Sequence, residues 1–522
     1  MKKKLLVALF VVCMMLGVTA CGKKSTGGNY EVSEEPVTLT YYYQGGNVGQ
    51  YTMQVQDKLN EILKGIDGYE HITIELYPST NNYRQLTLAQ TSGKQIDLVS
   101  TYQMEFTTGV ANGDYLCLDD LMKQFPDAVS EIPEWVVDYG KIDGKQYMVP
   151  TYQQASNLSY LAIPEEYFDM YLKEKNTTRE AVTDLIQHGT IDDKLNFMED
   201  LCLAVRKGTG SDTKWLFPGE TWAHNLLSHV FFNIEYIQTE FDHYIFREGA
   251  EAPEYWGMTN DFKKVMKRFA KWYEEGLLHP DCTTVNFYQL IGENYLNEES
   301  YVCEFVKNTA TEEYQEEYME SLNGGIPMVC IRTTDHAYIP SEWAAGGHAI
   351  YVDSEHPAEA MMIIELLRTE KGKEFYNTLI WGLEGIHWEW EDKENERIRT
   401  LEFDTVQGGA TYSAYKFNNG NVMNAWKNQA VLPGFYEYVE EEVHNGDDTV
   451  FSPAMGINWD LSNVKSQMSS VSAVEGEYCN TIYIAKDWEA RYDEYIEKLE
   501  AAGVNDIIDE LTKQYEEFKK SK

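Results

Sequence analysis

The sequence predicts an α/β protein divided into two lobes, and three observations carry that reading. At 522 residues the chain exceeds what one hydrophobic core ordinarily serves. Between Val37 and Thr101, strand-like and helix-like patterns alternate, which marks a parallel α/β unit. That pattern breaks at Pro150 and resumes only at Gly346, as expected of a chain that leaves its first lobe and later returns.

The elements follow in order. VTLTYYY at Val37 to Tyr43 is β-branched and aromatic, a buried first strand ending at the turn Gln44-Gly45-Gly46. Val55, Leu59, Ile62 and Leu63 share one helical face. His71 to Tyr77 reads as a strand, Tyr83 to Ser92 as a helix and Gln95 to Thr101 as a third strand. A helix from Leu116 to Phe125 stops at Pro126, and the strand Gln146 to Val149 follows an Asp-Gly turn. Pro150 interrupts before a new strand at Leu158 to Ile163. Residues 164 to 340 are expected to be mostly helical, as in Phe262 to Glu274 with Gly276 as its stop. Gly346 to Val352 is strand-like, and helices are expected at Pro357 to Arg368 and Lys371 to Leu379, the second ending at Trp381-Gly-Leu-Glu-Gly385. Two helices separated by Gly503 close the chain. The expected division is residues 37–150 with 346–385 in lobe 1, and 151–345 with 386–522 in lobe 2.

The amino terminus reads as an export signal. Lys2, Lys3 and Lys4 precede an apolar run from Leu5 to Val18, and small residues lead to Cys21. That run falls short of the ~20 residues that span a bilayer, and a cysteine just past a cleavage site is a lipid acceptor. The expected mature protein starts at a lipidated Cys21, held to the extracellular face of the membrane through a flexible tether, residues 21–36.

The formal charge of −42 excludes nucleic acid as a partner. The acids read as a solvated exterior rather than a metal store. Six cysteines beyond Cys13 and Cys21 show no metal-ligand spacing and read as small buried hydrophobes, leaving room for one disulfide. Phosphate-cradling, nucleophile-elbow, zinc-protease and calcium-loop motifs are all lacking. His224 and His229 stand about 140° apart on a helix, which disfavours a metal pair, and the adjacent acids Asp119 and Asp120 read as surface charge. No enzyme activity, cofactor or metal is expected.

Several stretches, taken in order, resemble family 1 extracellular solute-binding proteins, the receptor subunits of ABC importers. They are the lipobox at Cys21, VTLTYYYQGG at 37–46, TLAQTSGKQIDLVST at 87–101, GDYLCLDDLM at 113–122 and IDGKQYMVPTYQ at 142–153. GGHAIYVDSEHPAEAMMIIELL at 346–367 and EKGKEFYNTLIWGLEG at 370–385 extend the match. The region after about residue 410 looks like a long Gram-positive subgroup with a carboxyl-terminal region of unsettled role. The resemblance implies a periplasmic-binding-protein-like fold with a ligand cleft between lobes joined by crossing strands. It also implies a monomer that captures an oligosaccharide or similar polar solute for ABC permease subunits.

In such a fold, loops after the strand ends are where solute contacts belong. Amides match vicinal hydroxyls and aromatic faces pack on sugar rings. The candidates are Tyr43 and Gln44 after the first strand, Tyr102 and Gln103 after the third, and Tyr152 and Gln153 at the first crossing. Trp222 comes from the second lobe, Trp343 precedes a second crossing at Gly346-Gly347, and Trp381 and Glu384 precede a third; Tyr412 and Trp459 are held in reserve. A peptide or other polar solute is the alternative ligand, and it would need a charged site. A lipid-anchored glycan hydrolase would need two cleft acids, and an adhesion protein would need no cleft.

Overall fold

The computed structural model describes residues 29–45, 51–102, 106–153, 158–216, 234–237, 244–247, 250–283, 301–307, 311–334, 336–339, 346–401, 403–404, 409–410, 412, 414, 419–428, 431, 434–446, 449–457 and 459–521. The main elements in chain order are β1 (Val37–Gln44), α1 (Thr52–Lys64), β2 (Ile72–Ser79), α2 (Asn82–Thr91), β3 (Leu98–Ser100), β4 (Val149–Pro150), β5 (Ser159–Pro164), α3 (Glu165–Lys175), α4 (Arg179–His188) and α5 (Ile191–Thr209). There follow β6 (Ile234–Ile237), β7 (Tyr244–Arg247), β8 (Glu254–Tyr255), α6 (Asn260–Glu274), β9 (Glu304–Lys307), α7 (Glu312–Leu322), β10 (Met328–Arg332) and β11 (Gly347–Ile350). Helices α8 (Pro357–Leu366), α9 (Lys373–Trp381), α10 (Lys465–Tyr478), α11 (Trp488–Ala502) and α12 (Val504–Ser521) complete the set.

The chain forms two compact units. Residues 1–152, 345–388 and 412–425 make the first, and residues 153–344, 389–411 and 426–522 the second. The expected division differs from this by a few residues at its edges, with 151–152, 345 and 386–388 in the first unit, and at Tyr412–Ala425, which also joins the first unit. The cause is backbone pairing: Tyr152 N donates to Gly420 O at 3.1 Å, Val422 N to Tyr152 O at 2.8 Å, and Asn421 N to Leu367 O at 3.0 Å.

The first unit is built on a five-stranded sheet ordered β2-β1-β3-β11-β4. β1 runs parallel to β2 and β3, from Val37 opposite Ile72 to Gln44 opposite Ser79. The expectation of a parallel sheet holds for these three strands only, because β11 is antiparallel to both β3 and β4. Two-residue alternation sends Tyr42 to one face, stacked on Tyr77 at 4.6 Å, and Tyr41 and Tyr43 to the other, stacked on each other at 4.7 Å. The close approach of β11 requires glycine. A Cβ at Gly347 would lie 2.4 Å from Val149 O, and one at Gly346 would lie 2.9 Å from the Tyr102 backbone.

The second unit carries two three-stranded antiparallel sheets, β8-β7-β6 and β9-β5-β10. Its helix α6 starts at the cap Thr259, whose Oγ1 accepts from Phe262 N, and buries Phe262, Val265, Met266, Phe269 and Trp272. The carboxyl-terminal helices share this core rather than forming one of their own. Met468, Val471, Tyr478, Tyr492, Leu499 and Leu511 pack into the same cluster as Phe262 and Trp272. A buried carboxylate ties them in: Glu475 of α10 accepts hydrogen bonds from the hydroxyls of Tyr255 and Tyr495 and from the Cys479 thiol. The six described cysteines are free, and all but Cys117 are buried.

Candidate functional site

Three described rings of the first unit, those of Tyr51, His387 and Tyr412, cluster together. His387 lies flat against Tyr412, with ring centres 4.5 Å apart, and Tyr51 meets the His387 ring edge-on at 4.3 Å. Gly382 makes this possible. At φ 78° it turns the chain out of α9, and a Cβ there would lie 2.3 Å from His387 Nδ1 and 2.9 Å from the Tyr412 ring. Leu383 N donates to His387 Nδ1 at 2.8 Å, so the neutral ring carries its proton on Nε2. Tyr51 is half-buried, while Met53, Glu384 and Ile386 are exposed. His387 and Tyr412 are buried, so of the three rings Tyr51 is the one that reaches solvent.

Beneath the strand ends runs a buried polar chain with a fixed direction. Arg368 Nη2 donates to His348 Nδ1 at 3.0 Å, which leaves Nε2 to donate to Tyr41 Oη at 2.6 Å, and Tyr41 donates in turn to Asn419 Oδ1 at 2.7 Å. The same guanidinium holds Val149 O at 2.6 Å and Pro150 O at 3.2 Å. Burial and the charge of Arg368 keep His348 far below the usual histidine range. Burial pulls Arg368 down to about 9, still charged at neutral pH. The chain ties β1, β4, β11 and Asn419 together within the first unit.

The sequence candidates fare unevenly. Tyr43 sits inside β1 rather than at a turn, because the strand runs one residue further than its apolar pattern suggests. Its ring is wholly buried, and its hydroxyl has no hydrogen-bond partner among the described residues. Burial and the neighbouring hydroxyls of Tyr412 and Tyr41 push that hydroxyl well above the usual tyrosine range. Gln44 ends the strand, 7% exposed. Tyr152 and Trp381 are core side chains, held by the Gly420–Val422 pairing and by the last turn of α9. Tyr102 and Gln153 are half-buried and Glu384 is exposed. Gln103, Trp222, Trp343 and Cys21 lie outside the described residues, as do His224 and His229. Trp459 packs on the second unit's core near Phe246. Asp119 and Asp120 serve locally, accepting from Gln146 N and pairing with Lys123. Tyr51 and His387 escaped sequence reasoning; the only signal was their nearness to the Gln44 turn and the WGLEG motif.

Among the described residues no group of three or more His, Cys, Asp or Glu is placed to hold a metal ion. No described helix is long and apolar enough to cross a membrane.

Residues 453–520 match a family described as Domain of unknown function (DUF3502). A curated "Carbohydrate ABC transporter substrate-binding protein" of Streptococcus pneumoniae serotype 4 is 29% identical over 172 residues, 33% of this chain and 33% of that protein. The match thus spans about a third of that relative's length. Among solved structures, the N-glycan transport solute binding protein (NgtS) from Streptococcus pneumoniae superposes with a TM-score of 0.65 at 18% identity, covering 93% of this chain and 99% of that one. An HMO binding ABC-transporter associated solute binding protein from Bifidobacterium longum infantis gives 0.62 at 13%, covering 92% and 99%. These likenesses establish the α/β fold of solute-binding proteins, as the sequence led us to expect.

Proposed function

We propose that this protein is a solute-binding receptor of an ABC importer. It captures an oligosaccharide at the extracellular face of the membrane and delivers it to a permease, making and breaking no bond. The observation that carries this reading is the likeness, over more than nine-tenths of the chain, to proteins described as an N-glycan transport solute binding protein and an HMO binding ABC-transporter associated solute binding protein. Tyr51, half-buried and braced edge-on by His387, agrees with it, because an aromatic face can take the apolar face of a sugar ring. Of the sequence candidates, Tyr102, Gln153 and Glu384 retain the exposure that solute contact needs.

Cys21 would carry the lipid. A diacylglycerol supplies two chains, and two are needed for stable anchoring. The Cys21→Ser variant should then be released or mislocalised while binding solute normally.

Thermal unfolding against a panel of oligosaccharides and peptides tests the reading, since a ligand bound only by the folded state raises the midpoint. We expect shifts with one class of oligosaccharide. Shifts with peptides alone would overturn the sugar assignment.

A further inference from the structure

The segment just ahead of β1 is fastened to the first unit at two points. Tyr30 N donates to Gln124 Oε1 at 2.9 Å, and Gln124 Nε2 donates to Tyr30 O at 2.7 Å. One side-chain amide thus satisfies both backbone groups of a residue 94 positions away, as a neighbouring strand would. Gln124 is the last residue of the short helix Asp119–Gln124. Further along, Ser33 N donates to Glu359 Oε1 at 2.6 Å, and Glu359 lies in the first turn of α8.

The second fastening is the stronger. Glu359 is 1% exposed, and a carboxylate taken out of water needs donors. The Ser33 amide supplies one at the short distance of a charge-assisted bond, while His71 Nε2 stands 3.9 Å off, beyond hydrogen-bond distance. Detaching the segment would therefore uncover a charge that the fold has closed over. The path onward is fixed too. Ser33 Oγ donates to Glu35 O at 3.0 Å and Val37 N to His71 O at 2.8 Å, so the turn after Ser33 leads directly into the sheet. Glu31, Val32, Glu34 and Glu35 are exposed, whereas Tyr30 and Ser33 are half-buried, as in a strap lying along a surface.

This bears on the lipid anchor. A free tether from Cys21 to Val37 could extend to about 58 Å, whereas one that ends at Tyr30 reaches about 32 Å at most. We infer that residues 30–36 are a docked strap of the first unit, so that the lipidated protein hangs from the chain between Cys21 and Tyr30 and meets the membrane through the side of that unit carrying Gln124 and the start of α8. The inference rests on the lipid-anchor reading and adds to it the length of the free tether and the face it leaves from.

Amide hydrogen exchange on the mature chain, comparing wild type with Gln124→Ala and Glu359→Gln, tests the strap. The Tyr30 and Ser33 amides should be protected in wild type. Gln124→Ala should speed exchange at Tyr30 about tenfold and leave β1 unchanged, and Glu359→Gln should do the same at Ser33. Gln124 ends a surface helix, so its variant keeps the test decisive if Glu359→Gln folds poorly. Neutron reflectometry of the lipidated full chain on a supported bilayer tests the tether. The gap between bilayer and protein should stay within about 32 Å for wild type and broaden when the two substitutions are combined. Tyr30 and Ser33 amides that exchange in wild type as fast as in an unfolded chain, or a gap that the combined variant leaves unchanged, overturn the inference while the lipid anchor stands. Cys21 recovered from cell membranes without lipid overturns the anchor reading and this inference with it.

Discussion

Replacing Tyr43 by phenylalanine should stabilise the protein. The ring is wholly buried and stacked on Tyr41, so its packing survives the change, and only the hydroxyl is lost. That hydroxyl has no hydrogen-bond partner among the described residues, and a buried unsatisfied polar group costs about 1–3 kcal/mol. Removing it should raise the unfolding free energy by a comparable amount, about 1–3 kcal/mol, and urea denaturation at constant m-value would read this as a higher midpoint. Solute affinity should change by less than about twofold, because the ring is sealed from solvent. A destabilised Tyr43→Phe variant would show that the hydroxyl is bonded in the native protein. Unchanged stability with about tenfold weaker binding would show instead that the solute reaches it.

Arg368→Ala should cost about 3–5 kcal/mol, since it strips donors from Val149 O, Pro150 O and His348 together; Arg368→Lys, lacking the planar fork, should recover little of this on thermal unfolding. Glu475→Gln should destabilise by about 1–3 kcal/mol, because two tyrosine hydroxyls and a thiol lose a carboxylate acceptor, and a variant as stable as wild type would remove this carboxylate from the anchoring of the carboxyl-terminal helices. Stability should also fall with acid. Burial pulls His444 down to about 4, so below pH ~6.5 the unfolded chain takes a proton that the native chain refuses, and the loss reaches about 2 kcal/mol by pH 5. His444→Gln should flatten that part of the pH profile of urea unfolding.

Where local pattern decided structure, the sequence could be read. VTLTYYYQ is a strand because β-branched and aromatic side chains suit a pleated, buried surface. The amphipathic spacing of Phe262 to Trp272 likewise foretold α6. What tertiary context decided could not be read. The run from Gln146 to Val149 forms only short paired pieces, and the Gln146 side-chain amide donates across the break to both Val137 O and Met148 O. β11 is antiparallel because of how the chain returns from the second unit, which no residue on the strand announces. Helix α10, KSQMSSVSAVEGEY, is rich in serine and carries a glycine, so its weak propensity hid it until packing of Met468, Val471 and Tyr478 stabilised it. Tyr51 and His387 went unread for a related reason, although Tyr412 was held in reserve. Tyr51 lies hundreds of residues from His387 and Tyr412, and the approach of His387 to Tyr412 depends on the turn at Gly382, so their stacking is a property of the fold.

Calorimetric titration of wild type and Tyr51→Ala with the oligosaccharide that most raises the unfolding midpoint tests the central claim most directly. The account predicts saturable one-site heat for wild type, and for Tyr51→Ala an affinity lower by about tenfold, as the loss of one aromatic contact implies. Equal binding by both proteins would contradict the aromatic patch as the solute site, and no heat from wild type would contradict the receptor assignment itself.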